Sequence, residues 1–250
     1  MKPVIYAVGI GPGNLDCLTR QARDVLEKAT VIAGYKLYLD LIAPLTVGKK
    51  VISGAMKQEV SRCREALAAA LAGETVAVIG SGDAGVYGMA GLLLELTEQE
   101  PFQEISVRVI PGVTGALAAA ALVGAPLMND FAVLSLSDLM TPRETILKRL
   151  ECTARAGLVT VLYNPAGTKR KELLPQALAI FRRHGGNLPA ALVRNAGREG
   201  EYVHLCHLDD FPVDAVQMTS IVILGNPDSV LRGNCFYVRR GYREKYELDR

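Results

Sequence analysis

Short β-rich runs alternate with helical periods along the whole chain, which predicts an α/β protein made of two α/β domains of similar size. Two further observations support this. Three of the early strand-like runs end in glycine-rich turns, and the alternation restarts after Gly124-Ala125-Pro126, so the domains are placed at 1–125 and 126–250. Clefts beyond the carboxyl ends of strands in such domains are the default ligand sites.

The first strand is Val4 to Val8, followed by Gly9-Ile10-Gly11-Pro12-Gly13 and a helix with Leu18, Ala22, Val25, Leu26 and Ala29 on one face. A strand at Val31 to Ala33 follows. The segment Gln58 to Ala72 reads as a helix burying Val60, Cys63, Leu67, Ala70 and Leu71 and ending at Gly73. Strand Thr75 to Ile79 runs into a loop rich in glycine, Gly80 to Gly88, and then a helix carrying Leu92, Leu93, Leu94 and Leu96. Strand Ile105 to Ile110 meets Pro111-Gly112-Val113-Thr114-Gly115 and an alanine-rich helix.

The second half begins with strand Phe131 to Leu136. Thr141-Pro142-Arg143-Glu144 has the form of a capping box, opening a helix that buries Ile146, Leu147, Leu150 and Ala154. A strand at Leu158 to Tyr163, a helix from about Pro175 to His184, and strands at Ala190 to Val193, Tyr202 to Cys206 and Ser220 to Leu224 complete the pattern.

Composition narrows the function. Half of the residues are hydrophobic, which suffices for a large core. No apolar run reaches the ~18 to 20 residues of a membrane span, and the amino terminus reads as a strand rather than a signal peptide. A cytoplasmic protein with no membrane partner is expected. The 28 basic and 26 acidic residues are interspersed, so no stripe offers a footprint for nucleic acid. The five cysteines are scattered and odd in number, as expected of reduced thiols.

The first glycine turn resembles a dinucleotide fingerprint only in outline. Asn14 stands at the third fingerprint position, Pro12 removes an N–H, and the second strand ends in Ala33-Gly34-Tyr35 without the acid that binds a ribose hydroxyl. The loop after the third of these strands is more informative. Gly80, Gly82, Gly85 and Gly88 let backbone approach a ligand, and Asp83 supplies a carboxylate that either faces a cationic ligand or caps the next helix. His204, Cys206 and His207 invite a metal reading, but strand alternation separates His207 from the other two and no second ligand pair accompanies them; no metal is expected.

The stretch Ser81-Gly82-Asp83-Ala84-Gly85-Val86-Tyr87-Gly88-Met89 resembles the cofactor loop of the tetrapyrrole (corrin/porphyrin) methylases, and the turns at 9–13 and 111–114 resemble that family's other amino-terminal signatures. Asp83-Ala84 rather than Asp-Pro, with Ser135-Leu136-Ser137-Asp138-Leu139, Leu162-Tyr163-Asn164-Pro165 and Arg194-Asn195-Ala196-Gly197-Arg198, resembles one branch. That branch is the precorrin-3B (cobalt-precorrin-3) C(17)-methyltransferases of cobalamin biosynthesis. The similarity extends to Gly241-Tyr242.

The resemblance implies a homodimer that binds S-adenosylmethionine in a trough between its two domains and holds a tetrapyrrole above it. Position by position it implies cofactor contacts from Pro12, Ser81, Gly82, Asp83, Val86, Thr114 and Gly115, and from Tyr163, Asn164, Asn195, Ala196, Thr219 and Ser220 in the second domain. It implies methylation of carbon 17 with ring contraction, the product cofactor being S-adenosylhomocysteine. An activated methyl donor needs no enzyme nucleophile, and positioning alone can lower the barrier by roughly 7 to 11 kcal/mol. Contraction calls for proton transfer, for which Tyr87, Asp130, Asp138 and Arg194 are the candidates, each of them equally able to be a simple hydrogen-bonding anchor. Arg194 and Arg198 suit the carboxylate arms of the ring, as planar forks do.

The chain departs from the branch at two points. Asn129 stands where Met-His-Asp-Phe is usual, which removes an imidazole, and Arg143 stands where tryptophan is usual. The iron–sulfur extension of some members is not expected, as the residues after Gly241 include no cysteine. Methylation of another corrin position, or a non-catalytic cofactor-binding relative, remains the alternative.

Overall fold

The computed structural model describes residues 2–54, 58–167 and 172–246, without the side chains of 243 and 244. The chain divides into two compact units, Met1–Gly115 and Ala116–Arg250.

The first unit runs β1 (Val4–Gly9), α1 (Arg20–Lys28), β2 (Val31–Tyr35), α2 (Lys36–Leu41), β3 (Lys50–Gly54), α3 (Glu59–Leu71), β4 (Val76–Gly80), α4 (Ala90–Thr97) and β5 (Ser106–Ile110). Its strands form one parallel sheet in the order β3-β2-β4-β1-β5. Parallel strands need a crossover, and helices supply it here, so both faces of the sheet are covered. Side chains alternate accordingly. Ile5, Ala7, Ala33, Val76 and Val78 join α3 and α4 in one core, while Val8, Ile32, Ala77 and Ile79 join α1 and α2 in the other. Every strand therefore points its carboxyl end to the same edge.

The second unit follows with α5 (Gly115–Val123), β6 (Gly124–Ala125), β7 (Phe131–Ser135), α6 (Arg143–Arg155), β8 (Val159–Tyr163), α7 (Leu173–Gly185), β9 (Pro189–Arg194), β10 (Tyr202–His207), β11 (Ser220–Leu224), β12 (Ser229–Arg232), β13 (Cys235–Val238) and α8 (Tyr242–Tyr246). A mixed sheet in the order β10-β9-β11-β8-β7 pairs only β7 and β8 in parallel. Helices α6 and α7 cover one face around Phe181, Leu150 and Leu162. Helix α5 and a small sheet, β12-β13-β6, cover the other around Phe236, Val161 and Ile223.

Several expectations are corrected. The division falls one helix earlier than Pro126, because the buried face of α5 (Ala116, Ala119, Ala120 and Val123) packs with β8, β9 and β11 of the second sheet. The inward face of α3 is Arg62, Cys63, Ala66, Leu67 and Ala70; Val60 and Leu71 are exposed. Hydrophobicity alone put those two inside, although the i, i+4, i+8 row of residues 62, 66 and 70 faces the sheet. In α4 the buried residues are Ala90, Leu93 and Leu96, and Leu94 faces outward. The capping box does not form: Pro142 is the N-cap of α6 and no side chain caps that helix. With Pro142 extended, the first helical bonds run to its own carbonyl, from Thr145 and Ile146. Helix α2 and strands β3, β6, β12 and β13 carry no signal strong enough to have been predicted. Among the described residues no helix is long and apolar enough to cross a membrane.

Candidate functional site

In the first unit the turns after β1, β4 and β5 lie on three adjacent strands, β4-β1-β5, at one edge of the sheet. They are locked together through backbone. Ile10 N donates to Gly80 O at 3.0 Å, Gly11 N donates to Gly82 O at 3.0 Å, and Gly82 N donates to Gly11 O at 2.7 Å. No side chain fits between these loops. A Cβ on Gly112 would stand 2.2 Å from Gly82 O, and one on Gly9 would stand 2.7 Å from the same atom. Glycine is thus required here for close approach of backbone to backbone. A Cβ on Gly80, by contrast, would enter open space, leaving room against the strand end for a ligand.

Asp83 supplies the remaining bonds. Its Oδ1 accepts from Gly85 N at 2.8 Å and its Oδ2 accepts from Gly112 N at 2.9 Å, so one carboxylate holds its own loop and ties it to the turn after β5. The capping reading is overturned, since α4 begins only at Ala90 with Met89 as its N-cap and no side-chain cap. Thr19 adds a tie from behind, capping α1 by accepting from Ala22 N and donating to Pro111 O at 3.2 Å. Pro12, Ser81, Gly82, Asp83, Val86, Thr114 and Gly115, all named from sequence, therefore fall on one interlocked edge.

In the second unit Tyr163 and Asn164 end β8, Arg194, Asn195 and Ala196 end β9, and Thr219 and Ser220 open the antiparallel β11. Ser220 pairs with Arg194, which places these residues along a single edge of that sheet. Asp138 follows β7 at the same edge. The Tyr163 hydroxyl accepts from Ala116 N at 2.7 Å, fixing the start of α5. Asn164 Nδ2 donates to Ser135 Oγ at 3.0 Å, and Asn195 Nδ2 donates to the carbonyls of Glu199 and Gly200. The Arg194 guanidinium lies 4.2 Å from the centre of the Tyr202 ring, a cation–π contact, with Nη1 donating to Ala215 O at 3.5 Å. Its Nε is buried with no partner among the described residues.

Among the described residues three non-glycines have positive φ: Tyr87, Asn164 and Asn195, at 52°, 52° and 51°. All three lie in these edge loops. Asparagine tolerates this conformation, whereas tyrosine pays about 1 kcal/mol or more for it, and such strain concentrates at ligand-binding loops.

One candidate falls elsewhere. Asp130 precedes Phe131, at the amino end of β7, while Asp138 lies beyond its carboxyl end. A strand of that length separates the two ends by about 17 Å, so Asp130 is not grouped with Asp138 and Arg194, the candidates of the same sheet. Asn129 shares that position and donates from Nδ2 to Arg239 O at 3.2 Å. Arg143 makes an ion pair with Glu172 at 2.8 Å on the surface of the α6–α7 side, worth at most about 1 kcal/mol. His204 stacks on Tyr202, Cys206 packs into the α6–α7 core, and the described residues contain no cluster of three ligand-type side chains placed for a metal.

Sequence reasoning missed Ser135, Thr19 and Tyr202 as supports of these loops. Ser135 lay inside a quoted motif, and Tyr202 stands across from Arg194 in the ladder, a relation that needs the strand register.

Interlocked glycine turns on a parallel sheet, joined to a second mixed α/β unit, define a class, and comparison with known proteins fixes it. Residues 4–212 match the family described as Tetrapyrrole (Corrin/Porphyrin) Methylases, and the chain belongs to that family. More particularly, it is 41% identical over 240 residues to a protein of Salmonella typhimurium named as a probable cobalt-factor III C(17)-methyltransferase, covering 96% of this chain and 99% of that one. The crystal structure of the methyltransferase CobJ superposes with a TM-score of 0.89 at 33% identity, over 94% of this chain and 99% of that one. The uroporphyrin-III C-methyl transferase of Thermus thermophilus, solved with S-adenosyl homocysteine, superposes with a TM-score of 0.67 at 25% identity, covering 88% and 96%.

Proposed function

We propose that the protein transfers a methyl group from S-adenosylmethionine to carbon 17 of cobalt-factor III, or of precorrin-3B, with contraction of the ring. The observation that carries this reading is the interlocked edge at β4-β1-β5, where three glycine turns leave open space beside Gly80 and hold a carboxylate, Asp83, in a fixed orientation. The end-to-end likeness to the Salmonella protein supports the choice of substrate, and favours the cobalt-bearing ring.

The residues fit the cofactor. Ser81, Gly82, Asp83 and Val86 with Pro12, Thr114 and Gly115 would hold it in the first unit, and Tyr163, Asn164, Asn195, Ala196, Thr219 and Ser220 in the second. When bound it supplies a methyl group already activated on a sulfonium. The protein's part is then to orient, exclude water and move protons. Tyr87 and Asp138 stand exposed at loop tips where a ring could meet them, and Arg194, held by Tyr202, keeps its fork in a fixed plane for a carboxylate arm. Cytoplasmic location and a homodimer belong to the same proposal, the exposed Leu139 and Met140 beside the second edge being suited to contact with another copy.

Thermal denaturation tests the cofactor half. S-adenosylhomocysteine is expected to raise the melting temperature, as a ligand of the native state must, and NAD is not. Equal stabilisation by both, or by NAD alone, would refute the reading.

A further inference from the structure

The glycine turns occupy only one half of the carboxyl edge of the first sheet. The other half, at β2 and β3, ends in Tyr35 and Gly54 and is backed by the first turn of α3. Arg62 comes from that turn. It is 6% exposed, and its Nε and Nη1 are buried with no hydrogen-bond partner among the described residues. Side chains on a helix lean toward its amino terminus, which for α3 means toward this edge. The position confirms it, because a Cβ built on Gly54 would lie 3.1 Å from Arg62 Nη1 and 3.2 Å from Gln58 Oε1.

A guanidinium cannot shed its charge, so it cannot adapt to burial as a lysine or carboxyl group would. Buried polar groups are almost always paired, and an exception needs a reason, an acceptor supplied by a ligand, an ion or a water being among those available. A planar fork is matched best by a carboxylate. The distances also suit a macrocycle: at about 4.8 Å per strand, β3 lies about 10 Å from β4 and about 14 Å from β1, within the span of a tetrapyrrole and its arms. From these observations, and resting on the methyltransferase reading above, we propose that Arg62 binds a carboxylate arm of the substrate at the β2–β3 end of the sheet, and so sets the rotation of the ring over the cofactor loops.

Titration of cobalt-factor III, followed by absorbance with S-adenosylhomocysteine present, tests this on the parent protein, Arg62→Met and Arg62→Lys. Arg62→Met is expected to bind the ring at least tenfold more weakly, with S-adenosylhomocysteine affinity within twofold of the parent. Its denaturation midpoint without ring should be unchanged or higher, since an unpaired buried charge has been replaced by an apolar chain. Arg62→Lys, which keeps the charge but not the fork, should fall between, and decides the matter if Arg62→Met does not fold. Parent-like ring affinity in either folded variant, or an equal loss of S-adenosylhomocysteine affinity, would overturn the assignment. No binding of the ring by the parent would instead refute the methyltransferase reading, and this assignment with it.

Discussion

Replacing Asp83 separates a loop pin from a helix cap. The carboxylate accepts two backbone N–H bonds, one local from Gly85 and exposed, one from Gly112 across the loops and partly buried. Hydrogen bonds to a charged acceptor contribute about 1.5 to 3 kcal/mol, and the exposed one falls at or below the lower end. In Asp83→Asn the amide oxygen can keep the Gly112 bond, but the charge is lost and an NH2 faces the Gly85 N–H, a cost of about 1.5 kcal/mol. Asp83→Ala leaves the Gly112 N–H without an acceptor in a partly buried place and should cost about 3 kcal/mol. Urea denaturation reads both values, and the expected order of stability is parent, asparagine, alanine. S-adenosylhomocysteine affinity should fall in the same order, because the loops that would hold it lose their tie. A helix cap would behave otherwise, with asparagine nearly silent and alanine costing about 1 kcal/mol. That pattern would refute the pinning argument.

Two further outcomes follow from burial and position. Burial pushes the Cys63 and Cys206 thiols up to about 11, so at neutral pH they stay protonated and should react slowly with alkylating reagents. The exposed Cys152 and Cys235 should be modified first, as mass spectrometry of partly alkylated protein would show. Asn129→His should leave methyl transfer within a few-fold of the parent, because that position lies at the opposite end of β7 from Asp138; a gain on the order of a hundredfold, the scale of general acid–base catalysis, would show that the imidazole is needed for chemistry.

The fold was legible where local pattern and burial agree. Strands buried on both faces, such as Val76–Gly80, read as continuous apolar runs, and the glycine turns after them stand out because only glycine permits the 2.2 Å and 2.7 Å approaches at positions 112 and 9. What was lost depends on partners distant in sequence. Helix α5 reads as the end of the first half, yet its alanines pack against β8, β9 and β11. Asp83 was visible as a lone carboxylate among glycines, but its bond to Gly112 joins residues on different loops. Arg62 was hidden for a simpler reason: an arginine in an amphipathic helix is assigned to the wet face unless the neighbouring residues 63, 66 and 70 are seen to face the sheet. Asp130 could have been set aside from sequence, since it immediately precedes the strand read at Phe131 to Leu136 and so stands at its amino end, away from Asp138.

Methyl transfer itself is the most direct test of the account. The protein, incubated with S-adenosylmethionine labelled in the methyl group and with cobalt-factor III, should move one label to the ring, located at carbon 17 by NMR, with the macrocycle contracted in the product. Label at another carbon would place the chain elsewhere among the corrin methylases. No transfer to cobalt-factor III or precorrin-3B, under conditions where S-adenosylhomocysteine binds, would contradict the account and leave a cofactor-binding protein without this chemistry.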